Sequence, residues 1–225
     1  MYPIMSILDD YPRLREVARY AEDHIYASAQ RANEQDTHVG PQYRWEHTLR
    51  VTQYGVQIAQ AEGASVEQAA AACLLHDSEW WADAQEGGDH RAHGRIAARQ
   101  IRPFLHFLGY SLEEVDNICY AVAVHTDGNA GFEHEHTLEA RAVSDADNID
   151  RFGALRTVFW CLDEINDLGA LAAKLEKRVH KLQDYRARQE LETEEGNRLF
   201  NQQLDHQIAF FKRLIAERDL TRLLE

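Results

Sequence analysis

Among the side chains of metal-binding types in this 225-residue chain, four are considered together because they lie in or at the ends of segments with a helical pattern. They are His47, the adjacent pair His76 and Asp77, and Asp147. Imidazole and carboxylate together suit Mn, Fe, Co, Ni and Zn and, less well, Mg. His76 and Asp77 directly follow an almost wholly apolar stretch, residues 69–75, where burying a bare charge would be costly. The pair is therefore expected to be solvated or to coordinate a divalent metal.

The elements that must position these side chains are predicted to be helices, because apolar residues recur at helical spacing and no period-2 strand of useful length occurs. Capping-box sequences that begin at Ser65 and Ser111 support two helix starts, and Gly63 and Gly109 are expected to end helices. The predicted helices cover about residues 6–31, 43–62, 69–75, 90–108, 111–125, 138–152, 155–167, 170–188 and 193–220. The expected fold class is all-α.

Charge and composition limit the partners of the chain. The sum of 24 basic and 38 acidic residues is −14, so the basic surface of a protein that binds nucleic-acid polymers is missing. No apolar run approaches about 20 residues, and residues 1–6 lack a signal-peptide pattern, so no membrane association is expected. The 3 cysteines are widely spaced, which argues against a disulfide framework and favours a reducing, cytoplasmic location.

The order of the candidate ligands resembles the pattern H…HD…D of the HD-domain superfamily of metal-dependent phosphohydrolases. The matching stretches are residues 43–51 (YRWEHTLRV), 72–77 (ACLLHD) and 143–150 (VSDADNID). The resemblance covers about residues 43–153 and continues more loosely through residues 191–196 (LETEEG). It implies a single HD domain over 1–225, an all-α helical bundle with its metal-binding core at about 43–153 and a C-terminal extension of helices at about 170–220.

The resemblance also implies which residues bind the metal. His47, His76 and Asp77 match the first three ligands of the family. The fourth position is open among Asp145, Asp147 and Asp150, and the family's Ala-Asp-x-[Leu/Ile/Phe] context favours Asp147.

The two remaining acids of this segment have other predicted roles. Asp145 is alternatively a helix-surface or capping acid. Asp150 lies one turn after Asp147, where it could support a ligand or contact Arg151 or Arg156.

Three further histidines resemble those of other HD proteins. His90 and His93 belong to the segment His90-Arg91-Ala92-His93-Gly94, which is similar to a histidine-containing segment that follows HD in several branches. His125 ends a predicted apolar helix and resembles the histidine found there in branches that bind two metals. They are expected to complete a second metal site or to bind substrate phosphate. The alternative is a helix-end histidine that hydrogen-bonds to the backbone.

Substrate contacts are predicted for Arg50, Arg91 and Trp80. Arg50 lies one turn after His47, where its guanidinium could pair with an acid or a phosphate. Trp80 and Trp81 follow the histidine–aspartate pair, so they could wall the site or pack over the core.

The implied function is phosphohydrolysis of a nucleotide or another small phosphorylated metabolite by a metal-activated water, with Asp77 and Asp147 as catalytic carboxylates. One alternative is a di-iron HD-type oxygenase, in which His93 and His125 supply the extra ligands. Another is a non-catalytic, metal-binding regulatory HD protein. The expected partner is a small phosphorylated substrate, and a homo-oligomer is left open.

Overall fold

The computed structural model describes residues 4–31, 40–81, 90–162, 167–188 and 190–220. Their helices are α1 (Ile4–Asp10), α2 (Arg13–Arg31), α3 (Pro41–Glu62), α4 (Val66–Leu75), α5 (His93–Phe107), α6 (Leu112–Val124), α7 (Leu138–Asp150), α8 (Ala154–Leu162), α9 (Leu168–Arg188) and α10 (Glu194–Asp219). A 3-10 turn, His90–Ala92, precedes α5. The described ranges contain no β-strand, so the all-α prediction is confirmed.

The chain divides into two compact units, residues 1–147 and 148–225. Within the second unit, α9 and α10 pack against each other along their lengths. That residues 1–225 form one domain stays a prediction. Among the described residues, no helix is both long enough and apolar enough to span a membrane.

Helix α4 forms the centre of the first unit. It packs against α2, α3 and α6, and every residue from 69 to 75 is buried. The Ser65 hydroxyl accepts a hydrogen bond from the Gln68 amide at 3.4 Å, which fixes the start of α4 as the capping sequence predicts. Because α4 ends at Leu75, the following polar side chains enter a region that is already dry.

Helix α3 lies close against α4 because Gly55 has no side chain at their contact. A Cβ at Gly55 would collide with Cys73 Sγ and would lie 3.7 Å from Ala146 Cβ on α7. His47 precedes Gly55 by eight residues, so both lie on the same face of α3. The close approach therefore brings that face of α3 against the end of α4.

The N-terminal helix differs from the prediction. The sequence pattern predicts one helix over residues 6–31, whereas the structure has α1 and α2 separated at Tyr11 and Pro12. Proline has no amide hydrogen and disfavours helical geometry in the residue before it, which ends α1. The helix predicted over about residues 155–167 is described as α8 as far as Leu162, and residues 163–166 lie outside the described part.

Candidate metal centre

Four predicted ligands from three helices meet in the first unit. His47 comes from α3, His76 and Asp77 follow α4, and Asp147 lies near the end of α7. His47 Nε2 lies 3.4 Å from His76 Nε2 and 3.2 Å from Asp147 Oδ1. Asp77 Oδ2 lies 3.4 Å from His47 Nε2 and 3.2 Å from His76 Nε2. The structure therefore brings all four side chains to one point.

The donor atoms of this cluster fit a divalent metal ion. Ligand atoms that share an ion at about 2.0–2.2 Å lie roughly 3–3.5 Å from one another, which is the spacing observed here. His76 Nδ1 donates a hydrogen bond to the Cys73 carbonyl at 2.7 Å, so in neutral imidazole the lone pair is on Nε2, which faces the cluster. Such a backbone bond fixes a metal-ligating histidine in the orientation it needs.

A second pair of histidines faces the other oxygen of Asp77. His93 Nε2 lies 3.1 Å and His125 Nε2 lies 3.6 Å from Asp77 Oδ1, and the two Nε2 atoms are 3.2 Å apart. His125 Nδ1 donates to the Val122 carbonyl at 2.7 Å, the same arrangement that orients His76. Oδ1 is buried and accepts no well-directed hydrogen bond from a described residue. Asp77 therefore lies between two groups of nitrogen ligands.

The second pair depends on a close contact between α5 and α6. A Cβ at Gly94 would lie 2.8 Å from the Val122 carbonyl oxygen and 3.1 Å from His125 Cε1. Only glycine allows the first turn of α5 to approach α6 so closely. Since His93 precedes Gly94 directly, this contact sets the distance between His93 and His125.

Arg44 is the counter-ion of Asp77. Its Nη1 donates to Asp77 Oδ2 at 2.7 Å, and both side chains are buried. The guanidinium also lies over the Trp80 ring, with Cζ 3.3 Å from the ring centroid. A stacked arginine keeps its charge and a fixed orientation, so Arg44 is held against the carboxylate.

The charge of Asp77 is set by these neighbours. Burial alone raises the pKa of a carboxyl group, because the charged form loses its hydration. The electrostatic effect of the His76 ring and of the Arg44 guanidinium, together with the contacts of the His125 and His47 ring nitrogens, outweighs burial and holds the pKa of Asp77 well below its usual range. The carboxylate is therefore ionised at neutral pH, as a metal ligand must be.

The two tryptophans after the pair have different roles. The Trp80 ring lies between Arg44 and His93, with 4.8 Å between the Trp80 and His93 ring centroids. Trp81 packs on Ile25, and its amide donates to the Ser28 hydroxyl at 3.1 Å. Trp80 therefore walls the cluster, whereas Trp81 belongs to the core.

The predicted substrate arginines have described contacts of their own. The half-buried Arg50 guanidinium lies near Tyr43, with Cζ 5.6 Å from its ring centroid. Arg91 is exposed, and its carbonyl accepts a hydrogen bond from the Thr126 hydroxyl at 2.8 Å. The side chain of His90 lies outside the described residues. Substrate contacts of Arg50, Arg91 and His90 stay predictions.

Among the alternatives for the fourth ligand, the surface reading of Asp145 is wrong. Asp145 is 1% exposed and lies inside α7, so it is neither a surface acid nor a cap. Asp150 is also buried and belongs to the second unit. Of the three acids, Asp147 is the one that lies within ligand distance of His47 and His76.

Sequence reasoning missed Arg44, although a signal was present. Arg44 precedes His47 by three residues, one helical turn, and Arg50 follows it by three. Both arginines therefore flank His47 on α3, and the prediction chose Arg50. The cue that favours Arg44 is the pair of aromatic neighbours in the sequence Tyr43-Arg44-Trp45, which marks a partly buried helix start.

Comparison with known proteins concerns the family and the fold of the chain. Residues 44–151 match the family model of the HD domain, which confirms the predicted family. A predicted HD superfamily hydrolase from an uncultured Thermotogales bacterium has a similar structure, with a TM-score of 0.67 and 21% identity over 96% of this chain and 99% of that one. Bacillus subtilis YpgQ, solved in complex with ADP, gives a TM-score of 0.53 and 16% identity over 88% of this chain and 97% of its own. At these identities, both likenesses support the fold alone. No curated protein matches the chain significantly in sequence.

Proposed function

We propose that this chain, whose residues 44–151 belong to the HD-domain superfamily, is a metal-dependent phosphohydrolase. The observation that carries the proposal is the position of Asp77. One carboxylate oxygen faces His47 and His76, and the other faces His93 and His125. A buried carboxylate between two groups of imidazole nitrogens suits cations better than any neutral ligand.

The residues proposed to hold the metal are His47, His76, Asp77 and Asp147. A bound divalent ion would lower the pKa of a water molecule and neutralise the charge that builds up on a phosphoryl group. His93 and His125, with Asp77, are proposed to hold a second ion or a phosphate oxygen.

The chain's own side chains are proposed to manage charge and protons. Arg44 keeps Asp77 ionised, so Asp77 stays a ligand and does not take up protons near neutral pH. Asp147 is the more solvent-accessible of the two carboxylates, with 13% of its side chain exposed against 2% for Asp77. The carboxylate of Asp147 is therefore the group proposed to accept the proton of the attacking water. Trp80 covers Arg44 and His93 and limits the access of other water.

The proposed substrate is a nucleotide or another small phosphorylated metabolite. The ADP bound to Bacillus subtilis YpgQ, a protein of similar fold, supports the nucleotide class. A phosphoester or phosphoanhydride suits a metal centre in a chain of net charge −14, because the cations must then come from the site itself.

The second histidine pair favours one alternative, a di-iron oxygenase. The 3.2 Å separation of His93 Nε2 and His125 Nε2 would suit a second iron as well as a second hydrolytic metal. Two irons per chain with a mixed-valent EPR signal would favour the oxygenase. Activity on phosphoesters with Mn, Co or Ni would favour the hydrolase.

The deciding experiment is metal analysis of the purified protein, followed by a screen of nucleotides and phosphoesters with that metal. Asp77→Asn should lose both bound metal and hydrolysis, by more than about 100-fold, because it removes a ligand shared by both groups. The control is Asp116→Asn, since Asp116 lies on α6 in a part-exposed ion pair with Arg102. An Asp77→Asn protein that keeps its metal and its turnover would exclude the proposed site. A metal-loaded wild type inactive on all phosphoesters would favour the regulatory reading.

A further inference from the structure

A cavity of about 650 Å³ lies wholly within the second unit and has no role in the function proposed above. Its lining combines cationic and aromatic side chains. The lining residues are Asn148, Arg151, Phe152, Arg156, Arg178, Lys181, Tyr185, Glu190, Leu191 and Phe200. Its volume is in the range of roughly 300–1,000 Å³ that small-molecule sites occupy.

The cavity is positively charged although the chain is acidic. Four of its lining residues are arginine or lysine, and the one acid, Glu190, is paired with Arg188 at 3.3 Å. Neither Arg151 nor Lys181 forms an ion pair with a described residue. In a chain of net charge −14, four cations around one cavity produce a local field that favours an anion.

Arg178 is the lining cation that distinguishes the cavity from a solvated, charged surface. It is buried, and its Cζ lies 5.0 Å from the Phe152 ring centroid. Burial lowers the pKa of the Arg178 guanidinium, because the charged form has lost water. A bound anion would offset that desolvation cost, and a guanidinium can hold a phosphate through two parallel hydrogen bonds.

Aromatic rings form the apolar part of the wall. The Phe152 ring packs edge-on against Tyr185 at 5.7 Å and against Phe200 at 4.9 Å between ring centroids. Lys181 Nζ lies 5.4 Å from the Tyr185 ring centroid. The lining therefore combines cations with aromatic rings, which suits a ligand with an anionic end and an aromatic or apolar end.

The segment before α10 is fixed in position at the edge of the cavity. Asn197 Nδ2 donates to the Leu191 and Thr193 carbonyls, both at 2.8 Å, and Asn197 Oδ1 accepts from the Leu191 amide at 3.1 Å. The Thr193 hydroxyl caps α10 by accepting from the Gly196 amide at 3.0 Å. Leu191 is thereby held in place as part of the lining, so this side of the cavity is preorganised.

We propose that this cavity binds the phosphates of a nucleoside di- or triphosphate through Arg178, Lys181 and Arg151. The aromatic wall takes the nucleoside. The ligand is a second nucleotide that acts as an effector. Binding needs no metal, because the cations are supplied by side chains.

The test is calorimetric titration of EDTA-treated protein with ATP and, separately, with adenosine. ATP should bind the wild type, and adenosine should bind more weakly because it lacks the phosphates. Lys181→Gln should weaken ATP binding by about tenfold, the effect of losing one charge-assisted contact. Lys177→Gln is the matched control, since Lys177 lies one turn earlier on α9, is exposed and does not line the cavity. It should change the affinity by less than about twofold.

The buried cation requires its own variant and a folding check. Arg178→Met should weaken ATP binding more than Lys181→Gln does, in protein whose far-UV circular dichroism is unchanged. If Arg178→Met does not fold, Arg151→Gln at the exposed edge takes its place. ATP that fails to bind the wild type, or that binds Lys181→Gln and Lys177→Gln equally well, overturns the proposal.

Two further arms test the effector role and separate the two proposals. In metal-loaded enzyme, added ATP should change the turnover of a phosphoester substrate, and Lys181→Gln but not Lys177→Gln should abolish that effect. Asp77→Asn should bind ATP like the wild type in EDTA, and loss of that binding would overturn the proposal. ATP binding in a protein inactive on every phosphoester would count against the phosphohydrolase alone.

Discussion

At the scale of single residues, the arrangement around Asp77 depends on Arg44. A buried carboxylate without a partner would take up a proton, and a protonated Asp77 would be a poor ligand. The Arg44 guanidinium prevents this, and its stacking on the Trp80 ring fixes its orientation. Removing one member of a buried ion pair leaves the other charge uncompensated, so Arg44 should affect metal binding although it donates no ligand atom.

The first prediction compares Arg44→Met with Arg50→Met. Arg44→Met should lower the metal affinity by about 10- to 100-fold at neutral pH, as for other groups that support a ligand. The loss should grow as the pH falls, because the pKa of Asp77 rises without its counter-ion and protons then compete with the metal. Arg50→Met should leave the affinity within about twofold, since Arg50 lies near Tyr43.

Isothermal titration with Mn²⁺ between acidic and neutral pH measures both variants, and Arg44→Lys should recover part of the affinity. Equal affinities for Arg44→Met and wild type across that range would contradict the role given to Arg44.

The residue types of the site could be predicted from the sequence, but not all of its contacts. The resemblance of His47, His76, Asp77 and Asp147 to the family pattern H…HD…D predicts the ligands, and the position of His76 and Asp77 directly after an apolar helix supports that prediction. The family pattern does not distinguish Arg44 from Arg50, and the aromatic neighbours of Arg44 are the one difference noted between them in the sequence. The two flank His47 symmetrically on one helix, and which of them is buried depends on where the end of α4 meets α3.

At the scale of elements, the helices and their caps follow from local chemistry. Ser111 Oγ accepts from the Glu114 amide at 3.2 Å, and Glu114 Oε2 accepts from the Ser111 amide at 2.7 Å, as the capping-box sequence predicts. The distance between helices depends instead on single close contacts. Gly94 is such a contact, and its pattern in the sequence, a glycine after His93, reveals nothing about the carbonyl that it faces on α6.

The second prediction is that Gly94→Ala separates α5 from α6. The new Cβ would lie 2.8 Å from the Val122 carbonyl, so the helices must move apart. The free energy of unfolding should fall by about 1–3 kcal/mol, which exceeds the roughly 1 kcal/mol that alanine gains over glycine within a helix. Because His93 and His125 then move apart, metal stoichiometry or substrate affinity at that pair should also fall.

Urea unfolding and metal analysis measure these effects, with Gly40→Ala as the control. Nothing lies within 4 Å of a Cβ built at Gly40, so its metal content should match the wild type. Wild-type metal content and stability in Gly94→Ala would show that the contact does not position the pair.

The third prediction concerns the cap of α6 and its pH dependence. Burial raises the pKa of Glu114 slightly, but the hydrogen bond from the Ser111 amide, the largest influence, and the neighbouring Arg13 lower it overall. A lowered pKa means that Glu114 stabilises the fold above its unfolded value of about 4.3. That stabilisation is lost as the pH falls through the folded value.

Glu114→Gln should therefore be less stable than the wild type at pH 7, by up to about 1 kcal/mol, the usual range for a cap. The difference should shrink as the pH falls below about 4. Thermal unfolding at several pH values measures it, with Glu113→Gln, the exposed neighbour in the same turn, as control. A difference that persists unchanged at pH 3 would mean that the Glu114 charge contributes nothing to the cap.

At the scale of the whole molecule, the net negative charge opposes the approach of the proposed anionic substrate. The net charge of −14 repels a phosphorylated substrate and attracts divalent cations, whereas the proposed centre must receive both.

The fold class of this chain could be predicted from helical spacing and from the lack of strand patterns. The cationic cavity of the second unit could not, since its three arginines and one lysine are spread over residues 151–181 with other charged residues between them. Only the packing of α9 and α10 shows which of them share a cavity.

The fourth prediction follows from the repulsion between the acidic chain and an anionic substrate. For an anionic substrate of the metal-loaded enzyme, kcat/KM should rise as NaCl increases from about 0.01 M to 0.15 M, because the Debye length shortens from about 30 Å to about 8 Å and screens the repulsion. A rise of roughly threefold is expected, and it should appear in kcat/KM more than in kcat, since screening acts on encounter. The metal is kept saturating, because salt also weakens the attraction of the chain for a free cation. Sucrose at equal osmolarity serves as the control and should leave kcat/KM unchanged. If kcat/KM falls with salt instead, the substrate is steered by local cations. The electrostatic potential where the substrate enters is then positive, although the net charge of the chain is negative.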